Sequence, residues 1–175
     1  MGTLVVVSGP AGSGKTTLAH ELARILGCPA IIRDEIKQGI VAGRADYRPE
    51  PGDAETLRAL DAFFTVLRVL LQAGSMVVAE AAFQDRVWNP RLTPMREFAQ
   101  VRIVRCDAPE PVRMERIAAR LEADGHRRAH ADHTLTVGRP FTPVEMDVPT
   151  LDVDTSDGYE PALGEIVSFA RTGRR

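Results

Sequence analysis

At 175 residues, with 44% apolar and 26% charged side chains, the chain is long enough to bury one continuous core without disulfides or a structural metal. Its net charge of −2 disfavours an extended nucleic-acid groove, though not a short basic one. No apolar run approaches the roughly 20 residues of a membrane span, and the Met1–Leu4 start lacks the basic region of a secretory signal. Cys28 and Cys106 then read as reduced thiols, and a cytoplasmic protein is expected. Every basic residue except Lys15 and Lys37 is Arg, and both lysines fall where phosphate or substrate chemistry is placed below.

In chain order, Leu4–Val7 is a short apolar run, the pattern of a strand buried on both faces. Thr16–Leu26 carries Leu18, Leu22, Ile25 and Leu26 at helical spacing and stops at Gly27. Ala30–Ile32 reads as a second strand, followed by a helix from about Glu35 to Val41 and a Gly/Pro-rich loop to Asp53. Ala54–Ala73 is the longest predicted helix, with an expected buried stripe through Leu57, Leu60, Phe63, Phe64, Leu67, Leu70 and Leu71. Met76–Ala79 reads as the third strand. Trp88-Asn89-Pro90 reads as irregular, Arg91–Gln100 as a helix and Val101–Cys106 as the fourth strand. Pro109–Asp124 is a predicted helix with prolines in its first turn, where a missing amide costs little. Residues 125–149, rich in His, Arg, Gly and Pro, read as a mobile segment. Thr150–Val153 and Pro161–Arg171 supply the last strand and helix.

The segment Gly9-Pro10-Ala11-Gly12-Ser13-Gly14-Lys15-Thr16 fits Gly-x4-Gly-Lys-Ser/Thr between the first strand and helix. Glycines let the backbone curl so that successive N–H groups face phosphate oxygens, and the helix N-terminus adds partial positive charge. Gly9, Ala11, Gly12, Ser13, Gly14, Lys15, Thr16 and Thr17 are therefore the candidate nucleotide contacts. Lys15 reaches the outer phosphates and the Thr16 hydroxyl can ligate Mg²⁺. Strands alternating with helices around this loop predict a three-layer α/β/α P-loop NTPase fold. A five-stranded parallel sheet is expected, as one domain over 1–175 with a mobile lid at about 120–140, and similarity to P-loop NTPases implies the strand order 2-3-1-4-5.

Arg33-Asp34-Glu35-Ile36-Lys37-Gln38 follows the second strand, at whose carboxyl end such sheets bind ligands. Asp34 can orient or deprotonate an attacking hydroxyl there, and it can equally cap the short helix. Lys37, one helical turn on, is either a substrate contact or a solvated charge. Glu80 closes the third strand, where it can serve the metal shell or the substrate, or pair with an arginine. Arg116 and Arg120 lie four apart on one helix face, able to neutralise charge on the phosphates or to stay solvated beside Glu115 and Glu122. Phe83, Trp88 and Tyr47 are the aromatics nearest the expected acceptor; such residues are more often core or loop packing than a stacking platform, and Phe83 is carried as a substrate candidate. His126, His130 and His133 have neither a Cys pair nor a helical HExxH frame, so zinc is not expected there.

Gly9–Thr17 followed by Arg33-Asp34-Glu35-x-Lys37-Gln38 resembles the phage-type polynucleotide 5′-kinases and their P-loop relatives, which include zeta toxins and chloramphenicol phosphotransferases. The resemblance implies that Asp34 is the general base and that the basic residue three positions later contacts substrate. That residue is Lys37 here, where the family usually has Arg. Ala81 and Ala82 depart from the polar residues that those kinases carry after the third strand. Asp107-x-Pro109 through Arg116-x3-Arg120 resembles their lid-entry helix, which implies that Arg116 and Arg120 touch ATP or the transferred group. Thr155 falls where related kinases wrap the adenine.

The expected function is an ATP- and Mg²⁺-dependent kinase acting on a small-molecule hydroxyl, with Asp34, Lys15 and Arg120 catalytic and Thr16 with Glu80 placing the metal. A polynucleotide 5′-hydroxyl kinase is the first alternative, disfavoured by the acidic balance. A toxin-like kinase acting on a cell-wall nucleotide sugar is another. The alternative from a different class is an acceptor-independent ATPase or nucleotide-sensing regulator. Such proteins usually show a Walker-B Asp, and no clear equivalent is legible because the third strand ends in Glu80 and the fourth in Asp107.

Overall fold

Consecutive apolar residues in β1 (Gly2–Ser8) leave it no polar face, so the strand is stable only in the middle of a covered sheet. The computed structural model, which describes residues 1–44, 47–48, 50, 53–123 and 141–174, places it there. The remaining elements are α1 (Lys15–Leu26), β2 (Ala30–Ile32), α2 (Arg33–Val41), α3 (Ala54–Gln72), β3 (Met76–Glu80), α4 (Asp85–Leu92), β4 (Ala99–Asp107), α5 (Glu110–Ala123), β5 (Thr150–Asp154) and α6 (Leu163–Thr172). The sheet runs β2-β3-β1-β4-β5 with every pairing parallel. The three-layer architecture and strand order match the sequence expectation.

Alternate residues of β1 feed two cores. Leu4 and Val6 pack with Phe63, Phe64, Leu67 and Leu71 of α3, while Val5 and Val7 pack with Leu18 and Leu22 of α1 and Ile166 and Phe169 of α6. Because all strands are parallel, their carboxyl ends line one edge of the sheet, and the loops after β1, β2 and β3 converge on it.

Three local expectations change. The second helix begins at Arg33, directly after β2, so Asp34 lies in its first turn. Trp88-Asn89-Pro90 is helical: burial of Trp88 and Leu92 outweighs the amide that Pro90 lacks, and a 3₁₀ turn (Thr93–Glu97) leads into β4, which starts at Ala99. Residues 141–149, expected within the mobile segment, pack on α4. Val144 is buried, Pro143 bridges Gln84, and the Glu145 N–H donates to Asp85. Residues 124–140, with the expected lid tip and its three histidines, lie outside the described residues. Among the described residues no helix is long and apolar enough to cross a membrane.

Candidate functional site

The phosphate loop leaves β1 at Gly9 and enters α1 through Gly14, which takes a left-handed conformation (φ 73) and provides no side-chain cap. The first amides of the helix therefore have neither an intrahelical acceptor nor a capping side chain, the condition under which a helix start receives an anion. Gly12 is required on two counts. Its φ is +78, and a Cβ there would lie 2.5 Å from the Arg113 carbonyl oxygen of α5. The Ser13 Oγ is buried without a hydrogen-bond partner, an orphan that a bound polyphosphate would satisfy.

Glu80, the last residue of β3, lies in register with Val7 at the end of β1 and is 2% exposed. Its Oε1 is 3.7 Å from Lys15 Nζ, and its Oε2 accepts a 3.1 Å hydrogen bond from the Thr16 hydroxyl. Burial pushes its pKa up. Lys15 and the Thr16 hydroxyl pull it back, while the charges of Asp34 and Glu35 add to the rise. One carboxylate thus touches both functional side chains of the loop. Sequence reading placed Glu80 at this strand end beside the expected metal, without its contact to Lys15. Asp107 of β4 is exposed and 3.8 Å from Arg113, so it is not part of this contact. Thr16 Oγ1 and the Glu80 carboxylate together form a hard oxygen donor pair that fits Mg²⁺.

Ile32 of β2 is in register with Glu80, which brings the first turn of α2 beside the loop. Asp34 there is half-exposed, close enough to Glu80 to raise its pKa, and held at 2.9 Å by the Arg33 guanidinium. Arg33 also donates to the Thr56 carbonyl of α3 at 3.5 Å.

Lys37 is only 5% exposed. Its Nζ is 3.5 Å from Asp53 Oδ2 and 5.6 Å from the Tyr47 ring centroid. Asp53 caps α3, accepting from the Thr56 N–H at 2.5 Å, and also accepts from the Tyr47 hydroxyl at 2.6 Å and the Glu50 N–H at 3.1 Å. Burial works against its charge, yet these hydrogen bonds prevail and hold its pKa below the usual carboxylate range. Lys37 is therefore neither a solvated charge nor an open hand for substrate, because its charge is engaged inside the protein. Sequence reading missed Asp53, although an Asp immediately before an apolar-periodic run is a helix-start signal.

Phe83 corrects the aromatic expectation. It is fully buried, with its ring 4.6 Å from Trp88 and 6.1 Å from Phe63, so it faces the core and presents nothing to an acceptor. Its backbone is left-handed (φ 47), a strained state for a bulky residue that this aromatic cluster holds in place. Arg116 and Thr155 do meet at the loop. The Arg116 guanidinium donates to the Gly12 carbonyl at 3.4 Å and to those of Thr155 and Ser156 at 2.6 and 3.2 Å. Arg120 lies one turn further along α5.

Comparison with known proteins agrees with this fold. A solved protein of Chloroflexus aurantiacus J-10-fl, provisionally named a kinase, is similar with a TM-score of 0.84 and 25% identity over 99% of both chains. The APS kinase CysC of Mycobacterium tuberculosis, solved with AMPPNP and APS, shares the fold at a TM-score of 0.66 and 18% identity over 98% of each chain. A curated bifunctional pantoate ligase/cytidylate kinase of Gloeobacter violaceus is 34% identical over 85 residues, which are 49% of this chain and 15% of that protein. The chain thus spans a small part of that relative. A family model described as an AAA domain matches residues 4–142. That is well over half of the 175 residues, so the chain belongs to the AAA domain family, with a P-loop kinase-like fold whose neighbours include kinases.

Proposed function

We propose that the protein is a kinase that moves the γ-phosphate of ATP to a hydroxyl of a small molecule, with Mg²⁺ and in the cytoplasm. The observation that carries this reading is the convergence of four side chains on one edge of the sheet: Lys15 and Thr16 on the Glu80 carboxylate, with Asp34 next to it. The loop amides and Lys15 bind and neutralise the phosphates, and Arg120 completes that charge neutralisation from α5. Thr16 and Glu80 hold the metal, which supplies further charge neutralisation when bound. Asp34, oriented by Arg33, accepts the proton of the attacking hydroxyl as its oxygen meets the γ-phosphorus in line.

Within the polynucleotide kinase-like group that the Asp34 segment resembles, this chain is best read as a small-molecule member. Lys37 stands where those kinases place a substrate-contacting arginine, and here Asp53 and Tyr47 engage it. A polyanionic strand thereby loses an anchor, whereas a neutral alcohol needs none. The small ligand APS beside AMPPNP in the Mycobacterium tuberculosis kinase is consistent with a compact acceptor.

The test is ADP release with ATP alone and with a panel of nucleosides, sugars and antibiotics, for the unmodified protein and for Asp34→Ala. An acceptor should raise turnover well above the ATP-only rate. Asp34→Ala should lose at least about a hundredfold of it while keeping ATP affinity within a few-fold. Turnover that ignores every acceptor favours an ATPase over the kinase reading, and acceptor-dependent turnover that survives Asp34→Ala removes Asp34 from the role of base.

A further inference from the structure

Thr155 lies just beyond β5, where sequence position suggested an adenine contact. Instead it is 3% exposed and wedged behind the phosphate loop. Its Oγ1 is 2.9 Å from the Ser13 carbonyl oxygen and 3.0 Å from that of Asp107, and its N–H donates to Asp107 at 2.9 Å. Arg116 Nη1 approaches the same hydroxyl at 3.4 Å and also donates to the Gly12 carbonyl at 3.4 Å, so the hydroxyl accepts from one side and donates on the other. Two successive loop carbonyls, Gly12 and Ser13, are thus tied to groups outside the loop.

The consequence follows from peptide planarity. The Ser13 carbonyl and the Gly14 N–H belong to one rigid trans unit and point in opposite directions. Whatever holds that carbonyl outward also sets the amide inward, toward the anion. The loop is closely seated at Gly12, where a Cβ would strike the Arg113 backbone, and a Cβ on Gly14 would make ordinary van der Waals contact with Thr155 at 3.6 Å.

We infer that Thr155 is a positioning residue for phosphate, its hydroxyl fixing the Ser13 carbonyl and so aiming the Gly14 amide, with Arg116 bracing the adjoining Gly12 carbonyl. Preorganised amides of this kind bind charge without a reorganisation cost at the moment of binding. The inference rests on the polyphosphate-binding half of the proposed function and is independent of any acceptor. It also places α5, which carries Arg116, in direct mechanical contact with the loop.

The experiment is calorimetric titration of ADP and of inorganic pyrophosphate into the whole chain and its Thr155→Val, Thr155→Ser and Thr155→Cys variants, with melting temperatures recorded alongside. Thr155→Val keeps the shape and loses the hydroxyl. It should weaken both ligands by about tenfold, the scale of one hydrogen bond's worth of lost preorganisation. Thr155→Ser restores the hydroxyl and should stay within about threefold of the unmodified protein. If Thr155→Val does not fold, Thr155→Cys, which drops the γ-methyl and keeps only a weak S–H donor, should show the same twin loss. The inference is overturned if ADP weakens while pyrophosphate does not, since Thr155 would then touch the nucleoside. It is equally overturned if the melting temperature falls with both affinities unchanged, or if Ser fails to rescue. No acceptor enters the measurement, so failure of the kinase reading leaves these outcomes unaffected.

Discussion

Replacing Asp53 should expose how the two sides of the site are held together. The residue caps α3, accepts from Tyr47 and Glu50, and neutralises Lys37, which is 5% exposed on the helix that carries Asp34. Losing an Asp N-cap costs about 1 kcal/mol. Stranding a buried charge by removing its partner costs about 3–5 kcal/mol. The two overlap, because one carboxylate serves both. Asp53→Ala should therefore lose about 3–5 kcal/mol, which for a domain of this size is a drop in melting temperature of roughly 6–20 °C. Asp53→Asn keeps an acceptor for the Thr56 amide and loses only the charge, so it should fall between Ala and the unmodified protein. Adding Lys37→Met to Asp53→Asn should recover part of the loss, since the stranded ammonium is gone.

The pH dependence carries its own sign. The pKa of Asp53 is depressed on folding, so its contribution is present above the ordinary carboxylate range near pH 4 and is lost as pH falls below it. The gap between Asp53→Asn and the unmodified protein should narrow below about pH 4. Urea unfolding followed by circular dichroism at pH 7 and at pH 3 measures both effects. If Asp53→Ala at pH 7 lies within about 1 kcal/mol of the unmodified protein, the Lys37–Asp53 pair is not the connection described.

Phe83→Ala should cost about 3–5 kcal/mol by denaturant unfolding, as expected for emptying a fully buried aromatic site. Its acceptor KM, measured well below the melting temperature, should stay within about twofold; a selective rise in KM would return Phe83 to the acceptor site. Glu80→Gln keeps an acceptor for the Thr16 hydroxyl while removing the charge that the proposed function assigns to a metal. It should cut turnover by about a hundredfold or more and raise the Mg²⁺ concentration needed for half-maximal rate. An unchanged Mg²⁺ requirement would remove Glu80 from the metal.

The strand order was implied by the likeness to P-loop kinases, whereas the phosphate loop, the buried parallel strands and the placing of Glu80 and Asp34 at strand ends were legible in the chain itself. Each depends on local pattern: glycines at fixed offsets, apolar runs too short and too uniform for anything except buried parallel strands, and acids directly after them. What those acids and bases touch was not legible. That Lys37 is spent on Asp53, that Phe83 turns into the core, and that Thr155 and Arg116 brace the loop from behind all depend on contacts across long stretches of sequence. Arg116 and Gly12, for example, are 104 positions apart. Whether a charged side chain serves a ligand or another part of the protein depends on which desolvated partner reaches it first, and for residues so distant along the chain only the packed tertiary structure decides that.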